Sequence, residues 1–154
     1  MKNHAPIIVI EDDPDDQELL EIAFKELGYK NEILFFEDGQ AALDHLNRID
    51  VVPFLILSDI NLPKLDGFAL RNKIKMDAEL HLKCIPYLFF STASSQKAVI
   101  DAYSLSVQGF FIKQNTIAEL KDTLDAIMKY WQKCTSPNNY TISRDSQSHR
   151  PVSH

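Results

Sequence analysis

The sequence predicts an α/β fold, a (βα)5 three-layer sandwich in which a parallel five-stranded sheet lies between two layers of helices. Five short apolar runs recur along the chain, and amphipathic segments separate them. The runs lack the alternation of polar and apolar residues that marks a strand with one face in water. Strands of this kind are covered on both faces, which is typical of a parallel sheet.

The apolar runs are the predicted strands. They span residues 7–10, 32–36, 54–57, 87–90 and 109–112. The amphipathic segments are the predicted helices, and they span residues 15–27, 40–49, 68–76, 96–105 and 116 onward. Gly28 ends the first helix. Ile49 is expected to face inward with Leu43 and Leu46, and Trp131 is expected to belong to the core.

The order of the elements predicts the topology. Strand–helix units joined by right-handed crossovers place helices on both faces of the sheet. The compact arrangement is the flavodoxin-like strand order 2-1-3-4-5, in which the winding reverses between strands 1 and 3. Ligands of such sheets bind outside the carboxyl ends of the strands at this reversal. We therefore expect the functional site at the carboxyl ends of strands 1 and 3.

Length and composition predict one domain with an extension. The chain has 154 residues, of which residues 1–134 form the predicted domain. Residues 135–154 are rich in Ser, Asn and Pro and lack any periodicity, so they are predicted to be a flexible tail. His149 and His154 lie in this tail and are not expected to form a metal site.

Charge and cysteine usage restrict the partners and the compartment. A net charge of −6 argues against a nucleic-acid partner, since binding phosphates requires clustered Lys and Arg. No apolar run is long enough to span a bilayer, and none reads as a signal peptide. Cys84 and Cys134 show no metal-ligand spacing and are expected to be reduced thiols. We therefore expect a cytoplasmic protein without a membrane partner.

Chemically active side chains stand at the ends of four predicted strands. Acids follow strands 1 and 3, hydroxyls end strand 4, and a lysine ends strand 5. These residues are Glu11, Asp12, Asp13, Asp59, Ser91, Thr92 and Lys113. Since the carboxyl ends of parallel strands lie along one edge of the sheet, we expect these groups to converge.

Together these groups suit phosphoryl transfer. Clustered carboxylates repel one another unless a cation offsets the repulsion, and Mg²⁺ suits a site with few protein oxygens. A carboxylate then attacks as nucleophile, while metal and lysine balance the charge on the transferred oxygens. Each residue alone also has an ordinary structural explanation. Asp13, Pro14 and Asp15 can cap a helix, Asp59 can occupy a turn, and Lys113 can be a solvated charge.

Four motifs resemble the receiver domain of bacterial response regulators in two-component signalling. They are Ile-Ile-Val-Ile-Glu-Asp-Asp-Pro at 7–14, Leu-Ser-Asp-Ile-Asn-Leu-Pro at 57–63 with Asp66-Gly67, Phe-Ser-Thr-Ala at 90–93, and Gly-Phe-Phe-Ile-Lys at 109–113. The resemblance covers about residues 7–128, with the motifs in family order. The stand-alone format is similar to the chemotaxis regulator, the sporulation phosphorelay intermediate and the small regulators paired with phytochrome-type histidine kinases. The acidic stretch after strand 1 is most similar to the last group.

The resemblance implies an acceptor and a metal site. Asp59 would be the phosphoacceptor, taking its phosphoryl group from a phosphohistidine on a sensor histidine kinase or a histidine phosphotransfer protein. Asp12 would bind Mg²⁺ directly and Glu11 through water. Asn61 would contribute its backbone carbonyl, and Asp59 would also contact the metal.

The resemblance also implies a switch. Ser91 would be the hydroxyl that turns toward the phosphoryl group, and it is preferred over Thr92 because its interval to Lys113 fits. Lys113 would pair with the phosphoryl group, and the backbone N–H of Thr92 would contact it. Phe110 occupies the place of an aromatic residue that swings inward. A downstream protein target would read the face formed by helix 4, strand 5 and helix 5.

Three residues depart from the family pattern. Glu11 is longer than the usual Asp, Phe110 lacks the polar atom of Tyr or His, and Gln114 stands where Pro is common after Lys113. The first two could alter metal affinity, phosphoryl lifetime or a hydrogen bond. The third removes the family's cis Lys–Pro bond. None removes a group that phosphorylation requires.

Other functions fit the sequence less well. A haloacid-dehalogenase-type phosphatase needs a second Asp where this chain has Asn61, so no enzyme is expected. A flavin-binding protein would need a phosphate-cradling loop where the acids of residues 12–16 would repel a phosphate. The alternative hypothesis is a degenerate receiver that binds partners without phosphorylation. Within the receiver hypothesis, both an output switch and a relay intermediate stay open.

Overall fold

The computed structural model describes residues 2–92 and 95–135, and these contain one parallel sheet of five strands. The strands are β1 (Ile7–Ile10), β2 (Ile33–Phe36), β3 (Leu55–Ser58), β4 (Tyr87–Ser91) and β5 (Gly109–Ile112). Their order is β2-β1-β3-β4-β5, which confirms the predicted fold and topology. In the register of the sheet, Ile10 pairs with both Phe36 and Ser58, so the carboxyl ends of the first three strands lie level.

Six α-helices connect the described strands or follow them. They are α1 (Pro14–Leu27), α2 (Gly39–Leu46), α3 (Gly67–Met76), α4 (Ala78–Leu82), α5 (Gln96–Ser104) and α6 (Ile117–Lys133). The sequence did not predict α4, a helix of five residues whose Leu80 is buried. The Asp77 carboxylate begins this helix by accepting hydrogen bonds from the N–H groups of Glu79 and Leu80. The predicted fourth and fifth helices are therefore α5 and α6.

The sheet divides the core into two hydrophobic clusters. Ile8 and Ile10 of β1 pack into the cluster covered by α2, α3, α4 and α5. Ile7 and Val9 pack into the cluster covered by α1 and α6. Since successive side chains of a strand point to opposite faces, both faces of β1 must be apolar to fill both clusters. This arrangement explains why the strand sequences show no polar alternation.

The structure shows the positions of two apolar side chains that were predicted to belong to the core, those of Ile49 and Trp131. The prediction that Ile49 faces inward was wrong, because this residue is 93% exposed. Helix α2 ends at Leu46, and the Lys83 ammonium donates hydrogen bonds to the carbonyls of Leu46, Arg48 and Val51. These bonds satisfy carbonyls at the end of the helix and hold the following loop, so Ile49 lies outside the helix. Trp131 is partly buried and packs against the α1–α6 cluster.

Most of the predicted tail lies beyond the residues that the structure describes. The predicted tail begins at Thr135, and the remainder of it, with its two histidines, lies outside the described residues. Cys84 and Cys134 are not joined in a disulfide. Within residues 2–92 and 95–135, no helix has the length and apolar character needed to cross a membrane.

Candidate functional site

Backbone hydrogen bonds extend the sheet pairing past the strand ends and hold the residues that follow. The N–H of Glu11 donates to the carbonyl of Phe36 at 2.9 Å. The N–H of Asp59 donates to the carbonyl of Ile10 at 3.0 Å, and the N–H of Lys113 donates to that of Ser91 at 3.0 Å. The side chains after β1, β3 and β5 therefore start from backbone positions that the sheet determines.

Three acids lie close enough to share one metal ion. Glu11, Asp12 and Asp59 each offer a carboxylate oxygen, and these oxygens lie within 4.8 Å of one another. Glu11 is buried, Asp59 is partly buried and Asp12 is exposed. Carboxylates at this spacing repel one another, and a hard divalent cation relieves the repulsion. An all-oxygen donor set with one exposed side suits Mg²⁺, which retains several waters.

The Lys113 ammonium neutralises part of this acidic cluster. Its Nζ lies 2.5 Å from Oε1 of Glu11 and 3.1 Å from Oδ2 of Asp59. A third contact, at 2.7 Å, is with Oδ2 of Asp16. Burial alone would lower the pKa of Lys113, but hydrogen bonds to Asp16 and Glu11 and the charges of Glu11 and Asp59 raise it. Lys113 is therefore fully protonated at neutral pH.

Glu11 is the most buried acid of the site. Burial raises the pKa of its carboxyl, and the charge of Asp59 adds to the increase. Hydrogen bonds from Lys113 and from the N–H of Asp13, which lies 3.1 Å from Oε2, act in the opposite direction. The backbone carbonyl of Glu11 also accepts a hydrogen bond from the Gln17 side chain at 2.5 Å. Glu11, which is longer than Asp, is thus held by hydrogen bonds to its side chain and to its backbone carbonyl.

The acids after β1 divide between two roles. The Asp13 side chain accepts a hydrogen bond from the N–H of Asp15 at 2.9 Å, and Pro14 is the first residue of α1. Asp13 is thus the helix cap, the ordinary role considered above. Glu11 and Asp12 precede the cap and face the site, so only part of the acidic run is available to a metal.

The Asp59 carboxylate is oriented by bonds on both oxygens. Its Oδ1 accepts a hydrogen bond from the N–H of Ile60 at 2.7 Å, and its Oδ2 contacts Lys113. The N–H of Gly67 donates to the carbonyl of Ile60 at 2.7 Å and brings the start of α3 against this loop. A Cβ at position 67 would lie 2.3 Å from the Asp59 carbonyl oxygen, so only glycine fits.

Four further predicted residues lie in strands β4 and β5 or in the segments that follow β3 and β4. Ser91 ends β4 and is fully buried, and Thr92 follows it in an exposed position. Asn61 is exposed in the loop after Asp59. The Phe110 ring is partly buried, and its centroid lies 6.1 Å from that of Phe89. Their roles in metal binding, phosphoryl contact and switching stay predictions.

Sequence reasoning missed Asp16 as part of the site. Asp16 is the third residue of α1, immediately after the capping segment. Side chains of a helix tilt toward its N-terminus, so a residue in the first turn reaches back toward the strand end. That direction was the available signal, but the sequence alone does not show that Lys113 lies there.

The family of the chain follows from a comparison with family models. Residues 7–125 match the response regulator receiver domain. The chain belongs to the response regulator receiver family. A receiver is a signalling domain and not a conventional enzyme, which confirms the prediction made from the sequence.

Similar proteins agree with this assignment. The receiver is 33% identical over 129 residues to the probable methanogenesis regulatory protein FilR2 of Methanothrix harundinacea, covering 81% of this chain and 82% of that protein. It is similar to the phosphorylated cyanobacterial phytochrome response regulator RcpA, with 28% identity, a TM-score of 0.78 and coverage of 87% and 99% of the two chains. It is also similar to the Mn²⁺-bound form of response regulator Rcp1, with 29% identity, a TM-score of 0.74 and coverage of 86% and 99%. The expected resemblance to phytochrome-associated regulators is thereby confirmed.

Proposed function

We propose that this receiver accepts a phosphoryl group on Asp59 from the phosphohistidine of a sensor histidine kinase or a histidine phosphotransfer protein, in a reaction that requires Mg²⁺. One observation carries the proposal. The Asp59 carboxylate lies within 4.8 Å of two other acids and 3.1 Å from the Lys113 ammonium, so it has both an acidic metal cluster and a cation beside it. The phosphorylated form of RcpA and the Mn²⁺-bound form of Rcp1 support the same chemistry by similarity.

In the proposed step a carboxylate oxygen of Asp59 attacks phosphorus, the P–N bond of the phosphohistidine breaks, and neutral imidazole leaves after taking up a proton. The N–H of Ile60 and the Lys113 ammonium orient the nucleophile. Glu11, Asp12, Asp59 and the carbonyl of Asn61 would hold the metal. When bound, Mg²⁺ balances charge on the transferred oxygens. Lys113 supplies a further positive charge at the same place.

Phosphorylation would then change a binding surface. It adds nearly two negative charges and three acceptor oxygens, which can recruit the Ser91 hydroxyl and the Thr92 N–H. Phe110 would follow the hydroxyl inward. The face formed by α5, β5 and α6 carries the exposed apolar side chains Ile100, Tyr103 and Ile112, which suit a protein target. This surface would report the state of Asp59 to a partner in the cytoplasm.

Two alternatives stay distinct from this proposal. A degenerate receiver would act without phosphorylation, but the acceptor, the acid pair and the lysine are all present. The three acids lie within 4.8 Å of one another, and the lysine contacts Glu11 and Asp59. A relay intermediate would use the same site and pass the phosphoryl group to a phosphotransfer domain. A transfer assay with candidate phosphotransfer proteins separates the relay from the output switch.

The experiment that tests the proposal is intact-mass measurement after incubation with acetyl phosphate, with and without Mg²⁺. We expect a single phosphoryl adduct that requires Mg²⁺ and is absent from Asp59→Asn. A matched control is Asp66→Asn, which changes the acid that caps α3 and leaves the acceptor in place. An unmodified chain under conditions that label another receiver, or an adduct that persists in Asp59→Asn, would contradict the proposal.

A further inference from the structure

Asp16 contacts Lys113 without belonging to the acids that can share a metal. Among the described residues, the group able to hold one ion consists of Glu11, Asp12 and Asp59. Asp16 nevertheless lies 2.7 Å from the Lys113 ammonium, closer than the 3.1 Å between that ammonium and Asp59. Lys113 is therefore held by two acids that a metal would draw away and by one that it would leave in place.

A bound metal would compete for two of the three acids that contact the Lys113 ammonium, and Asp16 is the third. Glu11 and Asp59 each contact Lys113 and each belong to the metal cluster, so a cation competes with the ammonium for both. Lysine has a flexible four-carbon stem, and an ammonium that loses its acceptors is no longer held at one place. Asp16 lies in the first turn of α1, which Asp13 caps and Pro14 begins, so its backbone position is well defined.

We propose that Asp16 is a positioning residue that keeps the Lys113 ammonium beside Asp59 while Glu11 and Asp59 turn to the metal, and that it thereby speeds phosphoryl transfer. The inference rests on the proposed function. An ammonium has three N–H donors, so one can stay on Asp16 while another meets an oxygen of the incoming phosphoryl group. Asp16 acts on the reaction only through Lys113.

The first test compares Asp16→Ala with Asp15→Ala. Asp15 is an exposed acid in the same turn, and the ion pairs of Lys113 within the described chain are with Glu11, Asp16 and Asp59. The two variants thus remove the same charge from the same helix end, but only one removes the contact. At saturating Mg²⁺ we expect Asp16→Ala to slow phosphorylation by acetyl phosphate by about tenfold to a hundredfold, the cost of a misplaced catalytic group. Asp15→Ala should stay within about twofold of the wild-type rate.

A double-mutant cycle with Lys113→Ala shows whether Asp16 acts through the lysine. In that background the Asp16→Ala substitution should cause no further loss of rate, whereas an effect on helix α1 itself would persist. The ammonium can also be observed directly by ¹H–¹⁵N NMR of the unphosphorylated protein with Mg²⁺. A hydrogen-bonded Lys113 ammonium signal should be present in the wild type and in Asp15→Ala and absent from Asp16→Ala.

The outcomes separate this inference from the proposed function. A wild-type chain that is not phosphorylated on Asp59 refutes the proposed function, and the NMR comparison then still tests the position of Lys113. A wild-type chain that is phosphorylated, with Asp16→Ala as fast as Asp15→Ala, refutes the positioning role alone. Persistence of the ammonium signal in Asp16→Ala with Mg²⁺ refutes it as well.

Discussion

At the scale of single residues, the charge balance of the site depends on Lys113. The side chains of Glu11 and Asp59 are only 3% and 11% exposed, and both contact the ammonium. A buried charge that loses its partner is costly, because neither water nor a counter-charge then stabilises it. The ammonium therefore contributes to stability when no metal is bound, in addition to its proposed part in phosphoryl transfer.

The substitution Lys113→Ala is expected to lower the free energy of unfolding by about 3 kcal/mol without Mg²⁺, because the buried Glu11 and the partly buried Asp59 carboxylates lose their positive partner. Added Mg²⁺ should recover part of this loss, since a cation can replace the ammonium between the acids. Urea unfolding with and without Mg²⁺ measures both effects. Lys121→Ala is the control, because the Lys121–Glu26 pair is 3.2 Å long and more exposed. Its loss should stay below about 1 kcal/mol, and an equal loss in the two variants would contradict the prediction.

At the scale of elements, the loop between β3 and α3 holds the acceptor against the helix that follows. The N–H of Gly67 binds the carbonyl of Ile60, and its Cα approaches the Asp59 backbone so closely that a Cβ has no room. The Asp66 side chain caps α3 by accepting from the N–H of Ala69 at 2.8 Å. The start of α3 therefore determines the shape of the acceptor loop.

Gly67→Ala is expected to lower the free energy of unfolding by about 1–3 kcal/mol and also to slow phosphorylation, since the added Cβ displaces the Asp59 backbone. The matched variant is Gly28→Ala at the end of α1. Gly28 has a φ of +77° and no atom within 4 Å of an added Cβ, so its cost of about 1–2 kcal/mol comes from the backbone alone. Urea unfolding should show a loss of stability in both variants, whereas acetyl phosphate labelling should be slowed only in Gly67→Ala. Labelling of Gly67→Ala at the wild-type rate would show that the loop does not depend on this contact.

At the scale of the whole molecule, α1 and α6 close one face of the sheet and α2, α3, α4 and α5 close the other. Helix α6 supplies four buried side chains, among them Leu124 and Met128, which are fully buried. Because these side chains fill the cluster under α1 and α6, the core requires α6 up to at least Met128. We propose that the domain ends near residue 134, just after this helix.

A chain ending after Thr135 is expected to keep its free energy of unfolding within about 0.5 kcal/mol of the full chain and to be phosphorylated at the same rate. A chain ending after Ile127 lacks Met128 and Trp131, and it should lose at least about 3 kcal/mol, because an apolar core position is left empty. Thermal unfolding and acetyl phosphate labelling of the two chains test the boundary. A large loss in the longer of the two would place residues 136–154 within the folded domain.

The sheet, the order of its strands and the edge at which they end could all be predicted from the amino-acid sequence. Two-face burial makes each strand apolar throughout, and the right-handed crossovers leave few topologies for five strand–helix units. The acids after β1 and β3 and the lysine after β5 are therefore assigned to one edge by chain position alone. The capping role of Asp13 also followed from local signals, since a cap depends on neighbouring residues.

The contacts between side chains that are distant in the sequence could not be predicted and are known only from the folded chain. Asp16 and Lys113 are separated by 97 residues in the sequence, and Lys83 is separated by more than 30 residues from the carbonyls of Leu46 and Val51 that it binds. Neither contact can therefore be recognised from a local sequence pattern. The exposure of Ile49 depends on the same long-range contacts of Lys83. Helix α4 has a local cap at Asp77, but its five residues are too few to show a periodic pattern in the sequence. Periodicity shows which face of an element is apolar, but the partner of a charged side chain depends on where distant elements dock. The charge balance around Asp59 is thus a property of the folded chain.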